Sequence, residues 1–492
     1  MTVTHTEANQ PDVEVAVIGS GFSGLCMGIK LREAGIHDFV ILEKEAVFGG
    51  TWRANHYPGA ACDVPVHLYS FSFAQNADWS RRFAQQPELL RYTESLLQRY
   101  DLGPHLKLDH GLQAATYDEA QGWWRLRTKH GELTARSVVS AIGPLSRASA
   151  PQLPGLAQFR GQTVHSSDWD HDYDLRGKRV AVIGTGASAI QFVPVIAAQV
   201  AQLDLYQRTP PWVLPRPDRP IGRGERWLLR HVAPLQQLYR GLTYVALEAR
   251  YLAFARWPML MRLVEAQARH HLKRQLPHDA ALRDRLTPSY TAGCKRLLLS
   301  NDYYPALGRP NVALVTAPIA EVRASSVVSA DGVERAVDAI IFGTGFDVEH
   351  TLGAIPVQGR GGRLLSEAAA GGLEAYKGAT LEGFPNFYLI IGPNTGLGHN
   401  SMIYMIESAV RYVVGALQLR RREGLRTLEV KPEVCRQFNA TVQQRLARTV
   451  WASGCKSWYL SSTGRNSTLW PGFTFQYRRL TRHFDRDAYR VE

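Results

Sequence analysis

Two glycine-rich turns carry the first chemistry legible in this chain. VEVAVIGSGFSGL holds Gly19, Gly21 and Gly24 at GxGxxG spacing, and KRVAVIGTGASAI holds Gly184, Gly186 and Ala189 at GxGxxA spacing. Each turn follows a run of β-branched and small apolar residues, the pattern of a strand buried in a parallel sheet. In such a turn the first glycine allows the tight bend and the second lets the backbone approach a pyrophosphate. The third packs the following helix on the strand, and the free N–H groups of that helix face the phosphates. Nineteen residues past the third position stand Glu43 in the first copy and Arg208 in the second. A carboxylate there accepts hydrogen bonds from a ribose 2′-OH, whereas an arginine answers a 2′-phosphate. The first turn is therefore expected to bind FAD or NAD and the second NADP. A chain with both is built to pass a hydride from one to the other.

The elements that must position these turns follow from length and pattern. At 492 residues, 45% hydrophobic and 21% charged, the chain has the composition of a globular protein of two or three domains. The fold class expected is α/β, with two doubly wound, Rossmann-like dinucleotide-binding domains. WWRLRT and SVVSAIG read as further strands of the first, and GPLSRASAPQLPG as a linker out of it. The stretch from Gly222 to about Asp284 is helical and rich in Leu, Arg and aromatics. It is expected as an insertion packed on the NADP domain, with a surface-lying amphipathic helix as the alternative. The FAD-binding domain is then discontinuous, 1–145 and 343–492, around an NADP-binding domain of 146–221 and 286–342 with the insertion at 222–285.

Composition also sets limits on partners. The 57 Lys+Arg against 44 Asp+Glu give a formal charge of +13, but no nucleic-acid-binding motif accompanies it. The excess reads as a basic surface partly spent on anionic cofactors, with no nucleic-acid partner. Five cysteines without a CxxC pair point away from metal sites and from disulfides, and suit a reducing compartment. MTVTHTEANQPD lacks the charged and apolar regions of a secretory leader, and a cytoplasmic location is expected. The stretch 384–406 has no Asp, Glu, Lys or Arg, yet Pro385, Gly392, Pro393, Gly396 and Gly398 mark it as strand, turn and helix. No integral membrane segment is expected.

Between the two folds lies FRGQTVHSSDWD, with Phe159, Gly161, His165, Trp169 and Asp170 in the pattern FxGxxxHxxxWD. That pattern resembles the fingerprint of Baeyer–Villiger monooxygenases, flavoenzymes that insert oxygen beside a ketone carbonyl. GGTWRANHYPGAACD, from Gly49 to Asp63, resembles the same family's GGxWxxxxYPGxxxD, and FGTGFD and GPNTGLGHNS add further similarity over nearly the whole chain. The resemblance implies FAD and NADPH as cofactors, with O2 and a small-molecule ketone as substrates. It also implies an ester or lactone as product, formed through a C4a-peroxyflavin.

The FAD site expected comprises Gly19, Gly21, Phe22, Gly24, Glu43, Lys44, Gly50, Thr51, Trp52, Asp63 and Tyr69. The NADP site expected comprises Gly184, Thr185, Gly186, Ala187, Ser188, Gln191, Arg208, Thr209, Lys295 and Trp458. From composition alone Asp63 would cap a turn and the Lys295–Arg296 pair would be solvated surface. The resemblance instead places Asp63 beside the isoalloxazine, paired with Arg296 of GCKRLLLSNDYYPAL as the catalytic arginine. It makes His165 a conformational residue rather than an acid or base, and Trp458 a wall of the nicotinamide and substrate pocket. The helix starting near Asn400 is expected to turn its N-terminus to the flavin. A flavin-containing monooxygenase acting on N or S of a small amine or thioether is the alternative. A flavin-dependent disulfide reductase, lacking its CxxC, and a non-enzymatic nucleotide-binding module are the others weighed.

Overall fold

The apolar run Val13–Ile18 forms a strand near the middle of an eight-stranded sheet in the computed structural model, which describes residues 10–492. The first nine residues, on which most of the leader argument rests, lie outside the described residues. Val17 lies between Ile41 of Phe39–Leu42 and Val139 of Gly131–Ser140, both pairings parallel. Beyond Gly131–Ser140 the strands Trp123–Thr128 and Leu112–Asp118 continue the sheet antiparallel. Two later pieces of chain return to it: Val357–Gln358 pairs with Leu112–Asp118, and Phe387–Leu389 with Gly131–Ser140. The helix Phe22–Glu33 lies between this sheet and the long helix Met402–Glu423, with Cys26, Met27, Ile29 and Leu31 buried.

The second run, Arg179–Ile183, is the central strand of a five-stranded, wholly parallel sheet. Its order is Val312–Val315, Gln202–Tyr206, Arg179–Ile183, Ala339–Phe342, Gln162–His165. Parallel strands need covered faces, and the helix Ala189–Ile196 buries Ile190, Phe192 and Val193 against one of them. From residue 222 the chain is helical: Arg223–His231, Ala233–Glu248, a π-helical turn at Leu252–Arg256, Met261–Gln275 and Ala280–Leu286. The uncharged stretch 384–406 resolves into the strand Phe387–Leu389, a turn, and the start of Met402–Glu423, where Ser401 Oγ accepts from Ile403 N–H at 3.2 Å. No helix of the described residues is long and apolar enough to cross a membrane.

The expectation of no disulfide is corrected. Cys294 and Cys455, 161 residues apart, are bonded across 6.2 Å between their Cα atoms. Spacing tests only local pairs, whereas these two meet because the loop before Lys295 and a C-terminal loop converge. Cys26, Cys62 and Cys435 are free and buried.

Both turns bend through a first glycine that only glycine adopts comfortably, Gly19 at φ +103° and Gly184 at φ +108°. The third positions differ. A Cβ on Gly24 would stand 1.9 Å from the carbonyl oxygen of Gly19, while the second copy accommodates a fully buried Ala189. Gly24→Ala should therefore cost about 2–4 kcal/mol of stability. Ala189→Gly, at the first residue of its helix, should cost at most about 1 kcal/mol. Chemical denaturation of the two variants checks this, and equal losses would mean that Phe22–Glu33 can move aside.

Candidate active site

Glu43 follows the strand Phe39–Leu42 and is 5% exposed. Its Oε2 accepts from Ser20 N–H at 3.0 Å and from the Ser20 hydroxyl at 2.5 Å, and Oε1 accepts from Glu45 N–H at 3.1 Å. The carboxylate is thus fastened to the first glycine turn. Gly50, at φ +56°, crosses directly above: a Cβ there would meet Gly21 Cα at 2.8 Å. The short helix Thr51–Ala54 follows, its Thr51 exposed and its Trp52 buried. Trp52 Nε1 donates to Tyr69 Oη at 3.2 Å, and the Tyr69 ring stands edge-on to Phe22 at 5.6 Å. Burial pushes the Tyr69 hydroxyl well above its ordinary value, so it remains neutral. Lys44 differs from these: it is exposed and pairs with Glu45.

At the second turn, Thr185 Oγ1 donates to the carbonyl of Thr209, joining the turn to the segment that carries Arg208. Gly186 and Ala187 are exposed, and Ser188 precedes the helix Ala189–Ile196. Lys295 approaches the same corner, its ammonium over the Tyr290 ring at 4.9 Å. Burial, and then the neighbouring Arg208 guanidinium, hold the Lys295 ammonium below its ordinary value. Two cations converge here, and neither is ion-paired among the described residues.

The segment between Tyr57 and Asp63 runs along the seam between the two folds. Gly59, at φ +82°, lies so close to the helix Ala189–Ile196 that a Cβ would stand 2.7 Å from the Gln191 carbonyl oxygen. Gln191 commits its side chain to this seam. Oε1 accepts from the Tyr57 hydroxyl at 2.9 Å and Ala61 N–H at 3.3 Å, while Nε2 donates to the Ala61 carbonyl at 3.0 Å. Two residues on, Asp63 Oδ2 accepts from Arg296 Nε at 3.1 Å and Nη2 at 2.5 Å. Arg296 Nη1 makes no hydrogen bond among the described residues, and the two side chains keep 37% and 31% of their surfaces exposed. Burial, the largest influence, raises the Asp63 carboxyl, but Arg296, joined by a backbone N–H and by Arg216, holds the group below its ordinary value. Asp63 in turn raises Arg296, which stays charged at any working pH.

Tyr459 is the residue that sequence reasoning missed. It is buried, interacts electrostatically with both Arg296 and Asp63, and has its hydroxyl pushed up to about 12, chiefly by burial. Trp458 next to it is 44% exposed, its ring against Tyr459 at 4.6 Å. The inward and outward sides of a loop without regular period leave no signal by which sequence could have chosen between them. The Cys294–Cys455 bond ties this loop to the one bearing Lys295 and Arg296. A second buried group was equally unforeseen. Glu248 of the insertion accepts from the Asn400 side chain and from Thr474 Oγ1 at 2.8 Å, and stands 3.7 Å from His399 Nε2.

The residues of the fingerprint hold the edge of the second sheet. A Cβ on Gly161 would stand 2.3 Å from the Asp338 carbonyl oxygen and 2.6 Å from the Phe159 ring. His165 ends the edge strand, with Nδ1 bonded to Ser167 Oγ at 2.7 Å and Nε2 to the Gly345 carbonyl at 3.1 Å. Burial holds its imidazole below the ordinary value, in the neutral form. Trp169 packs on Phe192 at 5.3 Å, and Asp170 accepts from Gln162 Nε2 at 3.1 Å and Asp172 N–H at 2.9 Å. His165 thus touches the connection that leaves the second sheet, and makes no bond to Asp63 or Arg296.

The arrangement offers a buried carboxylate at one glycine turn, a pair of cations at the other, and a fixed guanidinium with a free N–H edge between them. No group of His, Cys, Asp and Glu among the described residues could hold a metal ion. Comparisons with known proteins place the whole chain among relatives. A family model described as pyridine nucleotide-disulphide oxidoreductase matches residues 16–219, a span that excludes both cysteines of the disulfide. The chain is 51% identical to a Baeyer–Villiger monooxygenase of Pseudomonas aeruginosa, over 100% of this chain and 94% of that protein. It is 50% identical to one of Streptomyces coelicolor, over 97% and 92%. It superposes on a crystal structure of OTEMO in complex with FAD and NADP with a TM-score of 0.90 at 26% identity, covering 98% of this chain and 100% of the other.

The Asp63–Arg296 pair also has a pH signature. A carboxylate depressed in the folded state stabilises the fold above its unfolded value and loses that contribution as pH falls through the folded one. With about a third of each side chain facing solvent, the pair is worth on the order of 1–2 kcal/mol. Asp63→Asn should be less stable than the parent by that amount at pH 7. The gap should close as pH falls below the ordinary carboxylate value of 3.8, and urea unfolding at stepped pH reads it.

Proposed function

The chain belongs to the Baeyer–Villiger monooxygenases, and we propose from its geometry how its own side chains serve that activity. It is a flavoprotein monooxygenase that uses FAD and NADPH to insert one oxygen atom from O2 beside the carbonyl of a small-molecule ketone. The residues present fit both cofactors. Glu43, buried beside a turn in which Gly19 and Gly24 leave no room for a side chain, suits the adenosine ribose of FAD. Lys295, whose charge burial and the neighbouring Arg208 make costlier, would be relieved by the 2′-phosphate of NADPH, which Arg208 would also meet. Domain limits of 1–145 with 343–492 for FAD, and 146–221 with 286–342 for NADP, follow from this assignment, with 222–285 as the insertion. A cytoplasmic location, where NADPH is supplied, is part of the same reading.

When bound, FAD supplies the redox chemistry and the activation of O2. Arg296 carries the protein's share. Asp63 holds Nε and Nη2 on one oxygen, which leaves the Nη1 edge pointing free for a ligand. A fixed cation there stabilises negative charge on the ketone oxygen as the carbonyl carbon becomes tetrahedral, without reorganising at the moment of reaction. Asp63 supplies the counter-charge that keeps a guanidinium in a partly enclosed cleft. Tyr459, neutral at working pH, is buried within electrostatic reach of the pair. The single observation that carries the proposal is this ion pair, formed between residues 233 positions apart at the seam of the two folds.

Two measurements test the assignments. Arg208→Ala should raise KM for NADPH relative to NADH by roughly 10- to 100-fold, the loss of about 1–3 kcal/mol of charge-assisted bonding. Equal changes for both nucleotides would remove Arg208 from the 2′-phosphate. Arg296→Ala should still purify with FAD, but its ester formed per NADPH consumed should fall by on the order of 10²–10³, with hydrogen peroxide released instead. An unchanged ratio would show that Arg296 does not serve oxygen insertion.

A further inference from the structure

The insertion helix Ala233–Glu248 buries Leu247 but turns a stripe of other apolar residues to water. Its two charged residues point inward. Arg240 Nη1 donates to the carbonyls of His67 at 2.9 Å and Ser70 at 2.8 Å, and Glu248 is buried against Asn400 and Thr474. Its apolar residues Leu238, Leu242 and Val245, spaced i, i+4, i+7 and so on one face, are 54%, 62% and 63% exposed. The elements on either side repeat the pattern. Trp227 before it is 59% exposed, and Met259 and Leu263 after it are 71% and 68% exposed. Singly exposed apolar residues are ordinary, but successive elements turning them outward is the mark of an interaction surface.

The charges around this face identify its partner. Residues 222–275 contain ten Lys and Arg against three Glu. All three carboxylates are engaged: Glu225 with Arg219, Glu248 inside, and Glu265 with Ala292 N–H and Arg269. Arg223, Arg256 and Arg262 are exposed and form no ion pair among the described residues. Apolar side chains, a tryptophan among them, bordered by unneutralised arginines and by no free carboxylate, match the boundary between acyl chains and anionic headgroups.

We propose that the outer face of residues 223–263 docks the protein on an anionic lipid surface. The apolar stripe of Ala233–Glu248 enters the headgroup boundary, and the flanking arginines meet lipid phosphates. The attachment is peripheral, because no helix of the described residues could cross the bilayer. It does not depend on the reaction assigned above, since none of the exposed residues involved belongs to the cofactor sites or to the Asp63–Arg296 pair.

The FAD-loaded protein tests this by sedimentation with vesicles. It should pellet with vesicles of phosphatidylglycerol and phosphatidylcholine, and much less with phosphatidylcholine alone. Raising the salt to about 0.5 M should release part of it by screening the arginines. Leu242→Glu combined with Val245→Glu should weaken vesicle binding at least tenfold, while FAD absorbance and NADPH oxidation stay at parent levels. Arg256→Glu combined with Arg262→Glu, which leaves the apolar stripe intact, should also weaken it. Failure of the parent to pellet with anionic vesicles, or equal pelleting of the variants, overturns the proposal. So does a parent dimer in sedimentation equilibrium that Leu242→Glu converts to monomer without lipid, because a second copy would then cover the face.

Discussion

The contact on which the rest of the site depends is the close packing of Gly59 on the helix Ala189–Ile196. Only a residue without a side chain, able to hold φ +82°, lets the Tyr57–Asp63 segment lie against the Gln191 carbonyl. Gln191 then fixes the segment in register through Tyr57 and Ala61. That register delivers Asp63 to Arg296. The residue belongs by sequence to the first nucleotide fold, its partner to the chain that returns to the second. These short contacts tie the two sheets together where the chemistry is expected, alongside the buried apolar cluster in which Trp212, Phe254 and Met261 pack with Leu397, Trp451 and Trp470.

The fingerprint residues serve the same geometry from the other end. His165 bonds to the Gly345 carbonyl just where the chain leaves the second sheet for the first. Gly161 admits the Asp338 carbonyl, and Trp169 buries itself on Phe192 of the helix that Gly59 also touches. A neutral, half-buried imidazole so placed braces that connection through Ser167 and Gly345, apart from the Asp63–Arg296 pair. This accounts for a histidine in a motif of the chain that makes no contact with the Asp63–Arg296 pair.

Local pattern carried most of the fold. The two strand–glycine–helix units, the strands Trp123–Thr128 and Ala339–Phe342, and the helix after Asn400 all follow from periodicity and turn residues. Candidate site residues could be named where chemistry is written in short spacing, as at Glu43 and Arg208, or where a long pattern resembled a family, as at Asp63, whose pairing with Arg296 the structure contains. It was illegible where loops meet in space. The choice of Tyr459 over Trp458 for the interior, the approach of Cys294 to Cys455, and the use of Gln191 at the seam depend on contacts between residues far apart in sequence. The outward apolar stripe of the helix Ala233–Glu248 left no signal for a different reason. Apolar residues at helical spacing ordinarily point inward, and here two buried charges claim the inner face.

The return of Phe387–Leu389 to the first sheet has a consequence for how the molecule is made. During synthesis the ribosome completes every strand of the second sheet by residue 342. The first sheet, begun at Val13, still lacks Phe387–Leu389, and the helix Phe22–Glu33 lacks its cover until Met402–Glu423 emerges. The domain encoded first is therefore the domain finished last. For most of translation its apolar faces wait uncovered, and the already folded second unit stands as the platform on which they close.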